Sequence, residues 1–133
     1  MSLTFITLPS PVGELKLVAN GSRLAAILWE NDRPNRVRLG PMTEAPDNPV
    51  LLKTARQLEE YFAGTRNCFE LELDFVGTDF QKQVWAALLT IPFGETRTYS
   101  QIAQQIGKPT AVRAVGAANG RNPISIVAPC HRV

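Results

Sequence analysis

The chain has 133 residues, 44% of them hydrophobic and 20% charged, with a formal net charge of +2. That suits one ordinary globular domain, or a small domain joined to a compact module, and excludes a chain of several full domains. The longest apolar runs are too short to span a bilayer, and Lys16, the first basic residue, lies too far in for the charged start of a signal peptide, so no membrane association and a cytoplasmic location are expected.

The charge is unevenly spread. Residues 1–75 carry eight Lys/Arg against ten Asp/Glu, whereas residues 76–133 carry six against two. The second part can therefore attract a polyanion, although many surfaces are mildly basic. Cys68 and Cys130 have neither paired spacing nor a secretory context and are read as free thiols. With the single histidine they make no zinc-type pattern, and no metal or other cofactor is expected.

In chain order, residues 3–8, 14–19 and 24–29 are short apolar or alternating runs separated by Pro/Gly- and Asn/Gly-containing stretches, which predicts an antiparallel meander. Residues 30–49 are crowded with Asn, Asp, Pro, Arg and Gly and predict a long loop. Leu51, Leu52, Ala55, Leu58, Tyr61 and Phe62 then recur at helical spacing up to Gly64, and residues 71–75 are a further strand candidate. A small α+β unit over residues 1–75 follows.

Residues 76–133 have a helical texture. Thr78 and Gln81 form a capping box, and Phe80, Val84, Trp85 and Leu88 share one helical face until Pro92 and Gly94. Ser100 is expected to cap a short helix over residues 101–106, and Thr110 a third helix from Ala111 toward Gly120. Short helix, Gly-containing turn and second helix is helix-turn-helix order. The third helix is built mostly from small residues (Ala111, Ala114, Gly116, Ala117, Ala118), with Arg113 its one long charged side chain. Such a surface suits either tight helix packing or close docking in a nucleic-acid groove, with Arg113 filling the space of a displaced base.

Residues 124–127 read as a strand leading to Pro129-Cys130-His131-Arg132. A thiol becomes a nucleophile when a neighbour draws off its proton, and the only histidine is adjacent. Consecutive strand residues face opposite ways, however, so the pair needs a bend or a relaying water. Taken alone, Cys130 suits a buried small hydrophobe better than a nucleophile.

Thr98-Tyr99-Ser100, Arg113-Ala114-Val115-Gly116, Asn122-Pro123 and Pro129-Cys130-His131-Arg132-Val133, in this order and spacing, resemble the O6-alkylguanine-DNA alkyltransferases, most closely the bacterial type. The resemblance implies a ribonuclease-H-like N-terminal domain (1–75) and a winged-helix-like helix-turn-helix domain carrying the active site (76–133). It also implies irreversible, single-turnover repair, in which an alkyl group passes from O6-alkylguanine, or O4-alkylthymine, in DNA to Cys130. His131 is then the base acting through a water, Tyr99 the donor toward the departing guanine, and Asn122 the hinge between third helix and active-site strand. Arg113 is the finger replacing the flipped nucleotide, and Thr98, Ser100, Thr110, Ala114 and Arg121 complete a minor-groove surface on duplex DNA. The protein is expected to act as a monomer. The family's pattern continues past Pro-Cys-His-Arg-Val with a pocket loop and a glutamate that orients the histidine; the 133 residues are read as lacking that segment, so slower transfer is expected of them. Two other readings use the same elements: a non-catalytic binder of alkylated DNA, which typically replaces the cysteine, and a helix-turn-helix transcription regulator, for which the small-residue helix is a poor base reader.

Overall fold

The computed structural model describes residues 3–32, 36–37 and 39–133, which fall into two compact units, Met1–Asp74 and Phe75–Val133. In the first, β1 (Leu3–Ser10), β2 (Gly13–Asn20) and β3 (Arg23–Trp29) form the expected meander. Gly13 and Gly21 close its two turns with φ of +100° and +60°, a region that L side chains rarely enter. β2 is buried on both faces: Leu15, Leu17 and Ala19 point one way, and Val18 the other, into a cluster with Leu3, Ala26, Val37, Leu39 and Met42. The second face explains a departure from the expected long loop over residues 30–49. A three-residue strand, β4 (Met42–Glu44), runs parallel to β1 with Met42 opposite Leu3, giving the sheet order β3-β2-β1-β4. Residues 33–35 and 38 of that loop lie outside the described residues.

Helix α1 (Pro49–Phe62) starts at Asn48, whose side chain accepts from the Val50 N–H, with Pro49 in the first turn. The strand expected over residues 71–75 shrinks to one parallel bridge, Leu24 opposite Leu73, held by Leu24 N–H to Glu72 O and Asp74 N–H to Leu24 O at 2.8 Å each. Just upstream, the buried Gln57 of α1 satisfies Glu70 in place of a strand neighbour: its Nε2 donates to Glu70 O at 3.2 Å and its Oε1 accepts from Glu70 N–H at 2.9 Å.

The second unit is helical. α2 (Asp79–Leu88) begins with the Thr78/Gln81 capping box and buries Val84, Trp85, Ala87 and Leu88. α3 (Tyr99–Gln105) begins two residues earlier than expected: its cap is Thr98, boxed with Gln101, and Ser100 lies inside the helix. Thr and Gln three apart satisfy two orphan N–H groups, an advantage a lone serine lacks. α4 (Val112–Gly120) follows Ala111 with no side-chain cap, so Thr110 does not cap it. Val115 and Ala118 of α4 join Val84, Trp85, Leu88, Ile91, Ile102 and Ala103 in one core. The fold is α+β, a sheet-based unit followed by a helix-turn-helix unit. Among the described residues no helix is long and apolar enough to cross a membrane.

The strand expected over residues 124–127 is a compact series of buried turns instead. Val127 N–H donates to Ser125 O and Ala128 N–H to Ile124 O, both at 2.9 Å, and Ile126 adopts φ +74°. That conformation is uncommon for a β-branched residue and persists only where its surroundings over-determine it. Burial of residues 122–129 and the Asn122 side chain outweigh the β-propensity of an Ile/Val run.

Candidate active site

Cys130 opens a single 3₁₀ turn, Cys130–Arg132, so the chain bends at the cysteine–histidine pair. Three residues per turn splay successive side chains by about 120°, which separates thiol and imidazole without setting them on opposite faces. The turn is tied down on both sides. Cys130 N–H donates to Ala128 O at 2.8 Å and Arg132 N–H to Pro129 O at 2.9 Å. Arg97 N–H donates to Arg132 O at 2.9 Å, Arg132 reaches Ile91 O through its NH1 nitrogen at 2.8 Å, and its guanidinium lies 5.4 Å from the Phe93 ring centre. Cys130 itself is partly buried against the helical core.

Helix α4 is the strut of the site. The buried Trp85 Nε1–H donates to Ala118 O at 2.8 Å and pins α4 to α2. The Tyr99 ring, 39% of the residue exposed, lies against Gly116, where a Cβ would come within 3.1 Å of the ring. One helical step on, Asn119 Nδ2 donates to Cys130 O at 3.5 Å. Residues three apart share a helix face, so Tyr99 and Cys130 are both referenced to the same side of α4. Asn122, 1% exposed, closes the segment that follows: its Nδ2 donates to Ala128 O at 2.7 Å, and its Oδ1 accepts from Ile124 N–H at 3.0 Å. Its two bonds thus close the turns that run from the end of α4 to Cys130.

His131 is exposed by area, yet partial burial of its ring lowers its pKa from the usual 6.5, and the neighbouring Arg132 charge lowers it further. A neutral imidazole can accept a proton at pH 7. Arg113 and Ala114 are exposed on α4, and Thr98, Ser100, Thr110 and Arg121 are exposed around it. The Thr98 hydroxyl oxygen already accepts from Gln101 N–H in the α3 cap. The structure thus gathers Tyr99, Asn122 and Cys130 around α4 and leaves the expected DNA-facing side chains on the surface. The sequence reading missed Asn119, which follows Val115 by four on the inner face of α4; helical spacing alone marks it as an inward polar residue. Arg132 was also unassigned, and only the tertiary fold reveals its carbonyl partner.

Sequence comparison decides the family. The profile of the 6-O-methylguanine DNA methyltransferase DNA-binding domain matches residues 79–133, and that of the same family's ribonuclease-like domain matches residues 3–75. This chain belongs to the 6-O-methylguanine DNA methyltransferase family. A methylated-DNA–protein-cysteine methyltransferase of Mycobacterium leprae is 48% identical over 127 residues, covering 96% of this chain and 75% of the relative. The constitutive enzyme of Bacillus subtilis is 44% identical over 130 residues, covering 97% and 79%. The crystal structure of the Mycobacterium tuberculosis O6-methylguanine methyltransferase superposes with a TM-score of 0.87 at 49% identity, over 98% of this chain and 78% of that one. The same species' protein in complex with DNA gives 0.85 at 47% identity, over 100% and 78%. Membership carries the activity: alkyl-transfer DNA repair by a methylated-DNA–protein-cysteine methyltransferase.

Proposed function

We propose that Cys130 is the acceptor in this reaction and that the helix-turn-helix unit presents it to a guanine flipped out of duplex DNA. An O6-alkyl carbon inside a duplex cannot be approached in line, so the nucleotide leaves the stack at a cost of roughly a few kcal/mol. His131, acting through a water, draws the proton from the Cys130 thiol. The thiolate sulfur attacks the alkyl carbon, the C–S bond forms as the C–O6 bond breaks, and the Tyr99 hydroxyl stabilises the charge left on the guanine. The thioether has no route back to a thiol, so one chain performs one transfer. Asn122 holds the Cys130 segment closed. Arg113 enters the stack in place of the flipped base, and Thr98, Ser100, Thr110, Ala114 and Arg121 line the approach to the minor groove, where small residues allow a close fit. The protein acts as a monomer on DNA containing O6-alkylguanine in the cytoplasm, without a cofactor.

The observation that carries this reading is the shared reference of Tyr99 and Cys130 to one face of α4, while Arg113 and Ala114 remain exposed on the same helix. The test is mass spectrometry after incubation with a duplex carrying O6-methylguanine. One methyl group on the peptide containing Cys130 is expected, with no uptake by Cys130→Ala and normal uptake by Cys68→Ala. A methyl group on Cys68, or undiminished uptake by Cys130→Ala, would remove the assignment.

A further inference from the structure

Two asparagines three residues apart reach from the C-terminal end of α4 to the segment that carries Cys130, and they differ in what they leave over. The carboxamide of Asn122 is used at both ends, on Ala128 O and Ile124 N–H. That of Asn119 is not. Its Nδ2 makes the long 3.5 Å contact to Cys130 O, and its Oδ1 is buried with no hydrogen-bond partner, the one such side-chain atom found among the described residues. A buried acceptor that gave up water and gained no donor opposes folding. Its neighbours on the inner face of α4, Val115 and Ala118, are apolar, and a leucine has the same branching as asparagine without the unpaired oxygen.

We propose that Asn119 is a positioning residue for the acceptor cysteine. Its Nδ2 orients the Cys130 carbonyl, and with it the peptide bearing the thiol, and it lowers the stability of the fold in doing so. This rests on Cys130 being the acceptor. The placement gives the contact its meaning: Asn119 lies three residues after Gly116, against which Tyr99 packs, so one rigid helix sets both the nucleophile and the group facing the leaving oxygen. Polar contacts that support a reaction are often long in the free protein and tighten when substrate is bound, which suits a 3.5 Å separation. Small errors in the placement of reacting atoms are costly to rate, so a weak contact at this position suffices.

Two variants test the idea. Asn119→Leu removes both polar ends and keeps the branching, and Asn119→Ala removes the whole carboxamide without adding a charge. For each, thermal melting, alkylation of Cys130 by iodoacetamide, and single-turnover methyl transfer from an O6-methylguanine duplex are compared with the unmodified chain, the rates being taken well below each melting midpoint. Iodoacetamide approaches the thiol from any direction and does not read its orientation. Asn119→Leu should melt no lower than the unmodified chain, both variants should react normally with iodoacetamide, and both should transfer methyl groups roughly 10- to 100-fold more slowly. A clear fall in the melting temperature of Asn119→Leu would overturn the proposal, because the carboxamide would then be a net stabiliser. Normal transfer by either variant would also overturn it, as would a matching loss of iodoacetamide reactivity. If the unmodified chain takes no methyl group on Cys130, the acceptor assignment itself fails, and that outcome is distinct from all of these.

Discussion

The ring of Tyr99 packs on Gly116 so closely that a Cβ built there would lie 3.1 Å from Cε2 and 3.3 Å from Cδ2. Gly116→Ala is therefore expected to separate stability from activity. Within a helix, alanine is favoured over glycine by about 0.8–1 kcal/mol, so thermal stability should hold or rise. The ring must shift by a few tenths of an ångström, and transfer should slow by about tenfold as the Tyr99 hydroxyl leaves its place. Single-turnover kinetics and melting curves on one preparation decide it; unchanged transfer would mean that the hydroxyl needs no fixed position.

Arg113 is exposed on α4, and its removal should leave the fold within about 0.5 kcal/mol of its original stability. If it fills the gap left by a flipped nucleotide, Arg113→Ala should slow repair of O6-methylguanine in a duplex by about tenfold or more, equivalent to about 1.4 kcal/mol in the barrier. Reaction with free O6-benzylguanine, which needs no flipping, should be nearly unaffected. Equal losses on the two substrates would assign Arg113 to the pocket or the fold.

His131 is the only histidine, so its proton resonances can be followed without ambiguity. Its titration midpoint should fall below 6.5, because partial burial and then Arg132 disfavour the imidazolium. The sign of the linkage follows. As pH drops through 6.5 the unfolded chain takes up the proton first, so this residue's contribution to stability is full above 6.5 and declines as pH falls toward the folded-state value. The acid limb of the transfer rate should likewise lie below 6.5, and a midpoint at or above that value would contradict the environment described for the ring.

Asn122→Ala should be strongly destabilising. It strips a buried Ile124 N–H of its partner and removes one of two donors from Ala128 O, the other being Cys130 N–H. A loss of about 2–4 kcal/mol is expected from denaturant unfolding of the helical unit. A loss under about 1 kcal/mol would mean that the 122–130 turns are held by apolar burial, with the carboxamide a minor contributor.

Local chemistry determined much of this protein from sequence. Alternating apolar residues and glycine-bearing turns marked the meander, Thr78 with Gln81 marked the start of α2, and the motifs from Thr98 to Val133 carried the family resemblance, because each depends on neighbours a few residues away. Tertiary structure decided the rest. The Ile/Val run before Cys130 has the composition of a strand, yet it coils into buried turns with Ile126 at φ +74°, since Asn122 and the core offer its backbone better partners than a sheet edge. Residues 42–44 carry no strand periodicity of their own and pair with β1 because its edge is open beside them. The closeness of Tyr99 to Gly116 and of Asn119 to Cys130 arises from the packing of α3, α4 and the terminal turn, segments far enough apart in the chain that no local pattern encodes their contact.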